Sequence, residues 1–199
     1  MKTIARLLIA LSFATLLACA ENKPQFTNTD ITGSGTGGDF QLTDQNGKVR
    51  TLADFKGKVV AIFFGFTRCP DVCPINLSEW AQVLKKLGPD GQKLQVLFVT
   101  VDPERDTQAL LAGYVTAFDP SFIGLTAGDL TATRVVADKY KVFYAKAPSK
   151  DGKDYSIDHT AASYLIDPSG TTRLYVRHGQ GIDGIVSDVK MLLAEKPKG

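Results

Sequence analysis

Gly65-Phe66-Thr67-Arg68-Cys69-Pro70-Asp71-Val72-Cys73-Pro74 decides how this chain is read. It holds two of only three cysteines in 199 residues. The apolar run Val59-Val60-Ala61-Ile62-Phe63-Phe64 precedes it, as in a central strand covered on both faces. An amphipathic helix follows from Ile75 to Leu87, with Leu77, Trp80, Ala81, Leu84 and Leu87 on one side and Gly88-Pro89 as its stop. Two thiols at such a turn can close a disulfide, bind a soft metal, or do both. If helical geometry begins at Pro70 or just after it, the spacing of four brings both sulfurs to one side of the first turn. Backbone N–H groups and the positive end of the helix dipole there favour thiolate over thiol.

Downstream, Leu94-Gln95-Val96-Leu97-Phe98-Val99-Thr100-Val101 reads as a second buried strand, and strand–helix–strand implies a right-handed parallel crossover. Asp102–Asp106 is then a loop on the same sheet edge as the cysteines, and Thr107 or Asp106 caps a helix running to about Phe118. A short apolar piece, Phe122–Leu125, precedes a helix over Asp129–Tyr140 packed through Leu130, Val135, Val136 and Tyr140. Val142–Tyr144 is a short strand and Ala147–Asp154 a polar loop. Ala161–Asp167 and Arg173–Val176 form a hairpin about Pro168-Ser169-Gly170, and a helix closes the chain with Ile182, Ile185, Val186, Val189, Leu192 and Leu193 on one face. Upstream, Asp39–Leu52 is a hairpin turning at Asn46-Gly47. These elements predict an α/β domain with a thioredoxin-like fold. A mixed central sheet is flanked by helices and preceded by the N-terminal β-hairpin.

At the N-terminus, Lys2 and Arg6 precede an apolar run of 11 residues, Leu7–Leu17. A membrane-spanning helix needs roughly 20, so residues 1–18 read as an export leader. Leu16-Leu17-Ala18-Cys19 resembles the lipobox of bacterial lipoproteins, which implies lipidation at Cys19 and attachment to a membrane. Residues 19–38 are rich in Gly, Asn, Thr and Ser and are expected to form a flexible tether, leaving 39–199 as the folded domain. The chain carries 23 Lys and Arg against 21 Asp and Glu; Lys2 and Arg6 are the leader's only charges, so 21 of each remain after it. No basic block or RNA-binding aromatic pattern is present, which excludes nucleic acid as a partner. The leader places Cys69 and Cys73 outside the cytoplasm, where dithiols readily oxidise.

Spacing limits what the dithiol can be. Thioredoxin-type reductases place two residues between their cysteines, and here there are three. The Pro, Thr and Cys of a peroxiredoxin fit neither Cys69 nor Cys73, and a four-cysteine zinc site lacks ligands. Two histidines are available. Taken alone, His159 reads as a hydrogen-bonded residue at a strand entrance. In a thioredoxin-like sheet, however, its segment passes beside the helix bearing the cysteines. Two thiolates and one imidazole make a soft site suited to Cu(I), which a weaker further ligand would adapt to Cu(II). His178 reads as a surface residue.

Three pieces together carry a resemblance: Phe64–Pro74, then Val99-Thr100-Val101-Asp102-Pro103-Glu104-Arg105-Asp106-Thr107, then Asp158-His159-Thr160. In this order the chain is similar to the Sco/SenC family of copper chaperones. The resemblance implies one copper ion held by Cys69, Cys73 and His159, with a Cys69–Cys73 disulfide as the copper-free oxidised form. It implies help in building the binuclear copper centre of cytochrome c oxidase, by delivering copper or by reducing the target's cysteines. The protein would then be a metallochaperone rather than an enzyme, with no catalytic residues. Its partner would be a copper-accepting oxidase subunit or another copper carrier, met in the periplasm or at the cell exterior. Asp71 belongs to the same motif, and Asp158 is placed to orient the imidazole. Gln108, Arg68 and the lipid in place of a transmembrane helix depart from the family pattern without removing a ligand. A thiol–disulfide oxidoreductase acting on a copper-accepting partner and a copper or redox sensor are the rival readings.

Overall fold

The computed structural model describes residues 25–148 and 154–195; the leader 1–18 and Cys19 lie outside them. In chain order the elements are β1 (Thr29–Asp30), β2 (Gln41–Asp44), β3 (Val49–Thr51), β4 (Val59–Gly65), α1 (Val72–Leu87), β5 (Leu94–Thr100) and α2 (Gln108–Thr116). They continue with β6 (Ile123–Thr126), α3 (Leu130–Lys139), β7 (Tyr144–Pro148), β8 (Tyr155–His159), β9 (Ala162–Ile166), β10 (Thr172–Arg177) and α4 (Ile182–Ala194). Eight strands form one mixed sheet in the order β1-β10-β9-β4-β5-β6-β2-β3. This is the thioredoxin-like α/β architecture, with the expected hairpin β2–β3 at its N-terminal side.

The two continuous apolar runs become its centre. Every residue of β4 and of β5 is buried, and the two strands pair in parallel from Val59↔Leu94 to Gly65↔Thr100. Their common C-terminal edge therefore carries both the cysteine turn and the loop after β5. β9 pairs antiparallel on the other side of β4, and β10 continues from it. α1 buries Leu77, Trp80, Val83 and Leu87 against the sheet. Its polar core residues are satisfied: Trp80 Nε1 donates to Ser163 Oγ at 2.9 Å, and Ser163 Oγ donates to Asn76 Oδ1. Among the described residues no helix is long and apolar enough to cross a membrane.

Three expectations change. The flexible tether expected through Gly38 is instead docked from Phe26 onward, where the ring packs against the core and under the Arg173 guanidinium. β1 pairs with Tyr175 and Leu174 of β10, and the buried Asp188 carboxylate accepts bonds from Thr27 N, Asn28 N and Asn28 Nδ2 at 2.7–2.8 Å. Further along, Gly37 lies so close to Thr172 that a Cβ would fall 2.0 Å from its hydroxyl, and Tyr140 donates to the Gly38 carbonyl. Second, α3 turns Val136 and Ala137 inward, while Val135 is 55% and Leu130 37% exposed. Third, the strand expected at Val142–Tyr144 runs from Tyr144 to Pro148. It pairs with β8 as a separate two-stranded ribbon that shares no ladder with the main sheet.

Candidate metal centre

Helical geometry begins only at Val72. Cys69 N donates to the Phe66 carbonyl in a tight turn, and Asp71 is the N-cap of α1. Cys73 thus sits in the first helical turn, fully buried, and Cys69 just outside it, partly exposed. Both are free thiols. The third member arrives from the ribbon: His159 ends β8, and its Nε2 lies 3.3 Å from Cys73 Sγ. One ligand atom from each of Cys69, Cys73 and His159 falls within 4.8 Å of the others. The structure therefore brings together the three residues singled out from the sequence.

The imidazole is fixed from three sides. Nδ1 lies 3.1 Å from the Thr160 carbonyl, which can only accept, so Nδ1 carries a proton and Nε2 is the nitrogen turned to the sulfurs. The rings of Phe63 and Phe66 stand edge-on to it, each with its centroid 5.9 Å away. Asp158, expected as the orienting group, lies on the exposed side of β8, and the Thr160 carbonyl takes that role. Asp71 is exposed and its carboxylate makes no capping bond; its backbone N–H points at Cys69 instead. His178 is exposed on the turn after β10. Cys19 lies outside the described residues.

Three features around the site have roles that the sequence analysis did not assign. A Cβ on Gly65 would fall 2.7 Å from Cys73 Sγ and 2.8 Å from the Phe98 ring, so only glycine lets the helix bring its sulfur onto the strand end. Asp106, 2% exposed, pins the turn just before Cys69: its carboxylate accepts from Thr67 N at 3.0 Å, Thr67 Oγ1 at 2.6 Å and Thr100 Oγ1 at 2.6 Å. Burial pushes this carboxyl above its usual range. The third is that the same loop, through Asp102 and Arg105, also grips the ribbon that carries His159.

The two thiols share one proton unequally. Cys69 is held down to about 4, chiefly by the Cys73 S–H donating to its sulfur, with lesser help from His159 and the N–H groups of Asp71 and Cys73. Cys73 is pushed up, first by burial and then by its hydrogen bond to Cys69 and the charge beside it. The outer sulfur is thus the nucleophile and the inner one the proton store. Alkylation of the reduced protein by iodoacetamide should then label Cys69 alone. The rate should hold level through mildly acidic pH and fall only as pH drops through about 4. An ordinary thiol, with its pKa of about 8.5, has already lost most of its rate at neutrality. Peptide mass spectrometry after timed quenching reads both the site and the profile; a rate that falls tenfold per pH unit from pH 8 downward overturns the assignment.

A family model described as SCO1/SenC matches residues 28–194. The chain is 42% identical over 159 residues to the mitochondrial protein SCO2 homolog of Bos taurus, covering 79% of this chain and 59% of that relative. It therefore spans about six-tenths of the length of that relative. Among solved structures, ScoI of Bradyrhizobium japonicum with copper bound is 44% identical with a TM-score of 0.71, covering 79% of this chain and 99% of that one. Yeast Sco1 with copper bound is 38% identical with a TM-score of 0.70, covering 81% and 91%.

Proposed function

The chain belongs to the SCO1/SenC family, and from that premise we propose that it is a copper carrier holding one ion through Cys69, Cys73 and His159. The observation that carries the reading is the convergence of the three donors within 4.8 Å from two separately built parts of the fold. Two thiolates and one imidazole suit Cu(I), and the similar structures named above were solved with copper bound. Copper is cargo here, so the residues' work is to hold it and let it go. Loading takes the proton from Cys73, and reprotonation favours release, so retention weakens on acidification. Oxidation of the pair to a Cys69–Cys73 disulfide removes two of the three donors and leaves the carrier empty.

The proposed role is assembly of the binuclear copper centre of cytochrome c oxidase, the acceptor being an oxidase subunit or another copper carrier. Residues 1–18 would be removed as a leader and Cys19 lipidated, which would hold the domain at a membrane facing the periplasm or cell exterior. A second activity, reduction of the acceptor's cysteines, is favoured by one observation: the partly exposed Cys69 is held as a thiolate beside a protonated partner. That pair suits attack on a disulfide followed by resolution.

Anaerobic titration of the reduced soluble domain with Cu(I), followed by native mass spectrometry, should stop at one copper per chain. The Cys69→Ala/Cys73→Ala double variant should retain none. Absence of binding to the parent, or equal retention by the double variant, sinks the proposal.

A further inference from the structure

The ligand set is divided between two bodies. Cys69 and Cys73 belong to the main sheet and its helix, while His159 belongs to the β7–β8 ribbon, which has no strand ladder with that sheet. Beyond the Phe63 and Phe66 rings that stand against the imidazole, the distance between dithiol and imidazole therefore rests on what ties the ribbon down. Ile157 and Tyr144 pack into the core, but at the end of β8 away from His159 the tie is polar and specific.

Its centre is Tyr155, four residues before His159 and on the same face of β8. The Arg105 guanidinium carbon lies 3.5 Å over the Tyr155 ring, and Lys146 Nζ lies 4.4 Å from the ring centroid. Arg105 Nη1 donates to the Tyr155 carbonyl at 2.8 Å and also meets Asp154 at 3.1 Å. The Tyr155 hydroxyl donates to Asp102 Oδ1 at 2.8 Å, while Asp102 Oδ2, fully buried, accepts from Arg105 Nε at 2.5 Å. Lys146 completes the set by pairing with Glu104. Asp102, Glu104 and Arg105 all lie in the short loop after β5. Its last residue, Asp106, holds Thr67, two residues before Cys69. One five-residue loop thus grips the cysteine turn with one carboxylate and the histidine ribbon with a planar cation and a second carboxylate.

We propose that Arg105 and Tyr155 are positioning residues for His159, a clasp whose engagement decides whether the imidazole stands at the copper or away from it. The inference rests on the copper-carrier reading and deepens it. With the clasp closed, copper has three donors. With it open, the dithiol is undisturbed and copper is left on two sulfurs, the form from which an incoming thiolate takes it more readily. Planarity matters: Arg105 must cover a ring, meet a carbonyl and meet a carboxylate at once, which a lysine ammonium cannot do.

The test is Tyr155→Leu, which removes ring and hydroxyl but keeps the Arg105–Asp102 ion pair, so the buried carboxylate keeps its partner. Tyr155→Phe and Arg105→Lys are milder companions. Release of Cu(I) to excess bathocuproine disulfonate should quicken by about 10–100-fold in Tyr155→Leu, the range of outer partners of metal ligands. Tyr155→Phe, which keeps the stacked ring, should recover part of that loss. The Cys69 alkylation profile should stay as in the parent. The double variant Tyr155→Leu/His159→Ala should release no faster than His159→Ala alone, because a clasp acting through His159 has nothing left to act on. The inference is overturned if Tyr155→Leu releases copper at the parent rate. It is overturned equally if the two substitutions multiply in full, or if the alkylation profile moves, which would mark general loosening. If Tyr155→Leu does not fold, the same comparisons on Tyr155→Phe and Arg105→Lys decide. A parent that binds no copper would instead strike the carrier reading itself.

Discussion

His159→Ala should release copper more than about 100-fold faster than the parent, beyond the range that partners outside the coordination sphere carry. The reason is geometric. Among the described residues Nε2 is the only nitrogen donor gathered with the two sulfurs, and it is held there by the Thr160 carbonyl and two phenylalanine rings. Water entering the vacated space would be a harder and weaker donor toward Cu(I). The dithiol should survive the change, because the first cause of the lowered Cys69 pKa is Cys73, with His159 a smaller one. The same variant should therefore keep its disulfide-forming ability and most of its thiol exchange rate. Stopped-flow chelator competition measures the first quantity, and glutathione redox titration the second. Parent-like copper retention in His159→Ala would remove the imidazole from the site; loss of thiol exchange along with copper would make the histidine part of the redox machinery.

Asp106→Ala should destabilise the domain by about 2–3 kcal/mol, because it strands a backbone N–H and two hydroxyls in a buried place. Asp106→Asn should recover most of this. An amide oxygen can accept from Thr67 N and Thr100 Oγ1, and the amide N–H₂ can donate to Thr67 Oγ1 once that hydroxyl turns. The pH dependence separates the two. The carboxyl is raised by burial from an ordinary 3.8, so the native state holds its proton more tightly than the unfolded chain does. Its ionisation therefore costs stability. That cost is absent below pH 3.8 and grows as pH rises through the raised native value. Asp106→Asn removes this component, so its stability relative to the parent should improve between mildly acidic and neutral pH. Urea melts of the three proteins across that range check both statements; equal stability of the alanine variant would mean that the cysteine turn holds itself.

How much of the fold and the site is legible in the amino-acid order depends on the range of each interaction. Val59–Gly65 and Leu94–Thr100 are apolar without interruption, and such runs can only be central strands or buried helices; their lengths and the helix between them settle which. Cys69 and Cys73 announce themselves by chemistry, and His159 by the scarcity of alternatives. The ribbon is less visible because Ala145, Lys146 and Ala147 of β7 are small or polar and β8 has Ile157 as its one aliphatic residue, too little to mark an alternation. Periodicity places Val135 inward on α3 and errs, because two neighbouring valines cannot both face one core, and local pattern does not choose between them. The docked segment at Phe26 to Gly38 is hidden for a stronger reason. Its partners, Asp188, Arg173 and Tyr140, lie more than a hundred residues away, and its bonds are largely those of backbone groups that every sequence possesses. Gly65, Asp106 and the Thr160 carbonyl act only through neighbours that folding supplies.

The N-terminal strap has a bearing on reach. Between the proposed lipid at Cys19 and the first docked residue, Phe26, the chain has only seven steps, at most about 25 Å when fully drawn out. If Cys19 carries the proposed lipid, a leash of that length would keep the domain within roughly its own diameter of the bilayer. Its hunt for an acceptor then becomes a search in a thin layer along the membrane plane, where a neighbour embedded in the same sheet of lipid meets it at high effective concentration. A carrier so tied serves recipients beside it and is poorly suited to ferrying its load across a compartment. Lengthening the segment before Phe26 would widen that layer and dilute every encounter, with no atom of the copper site altered.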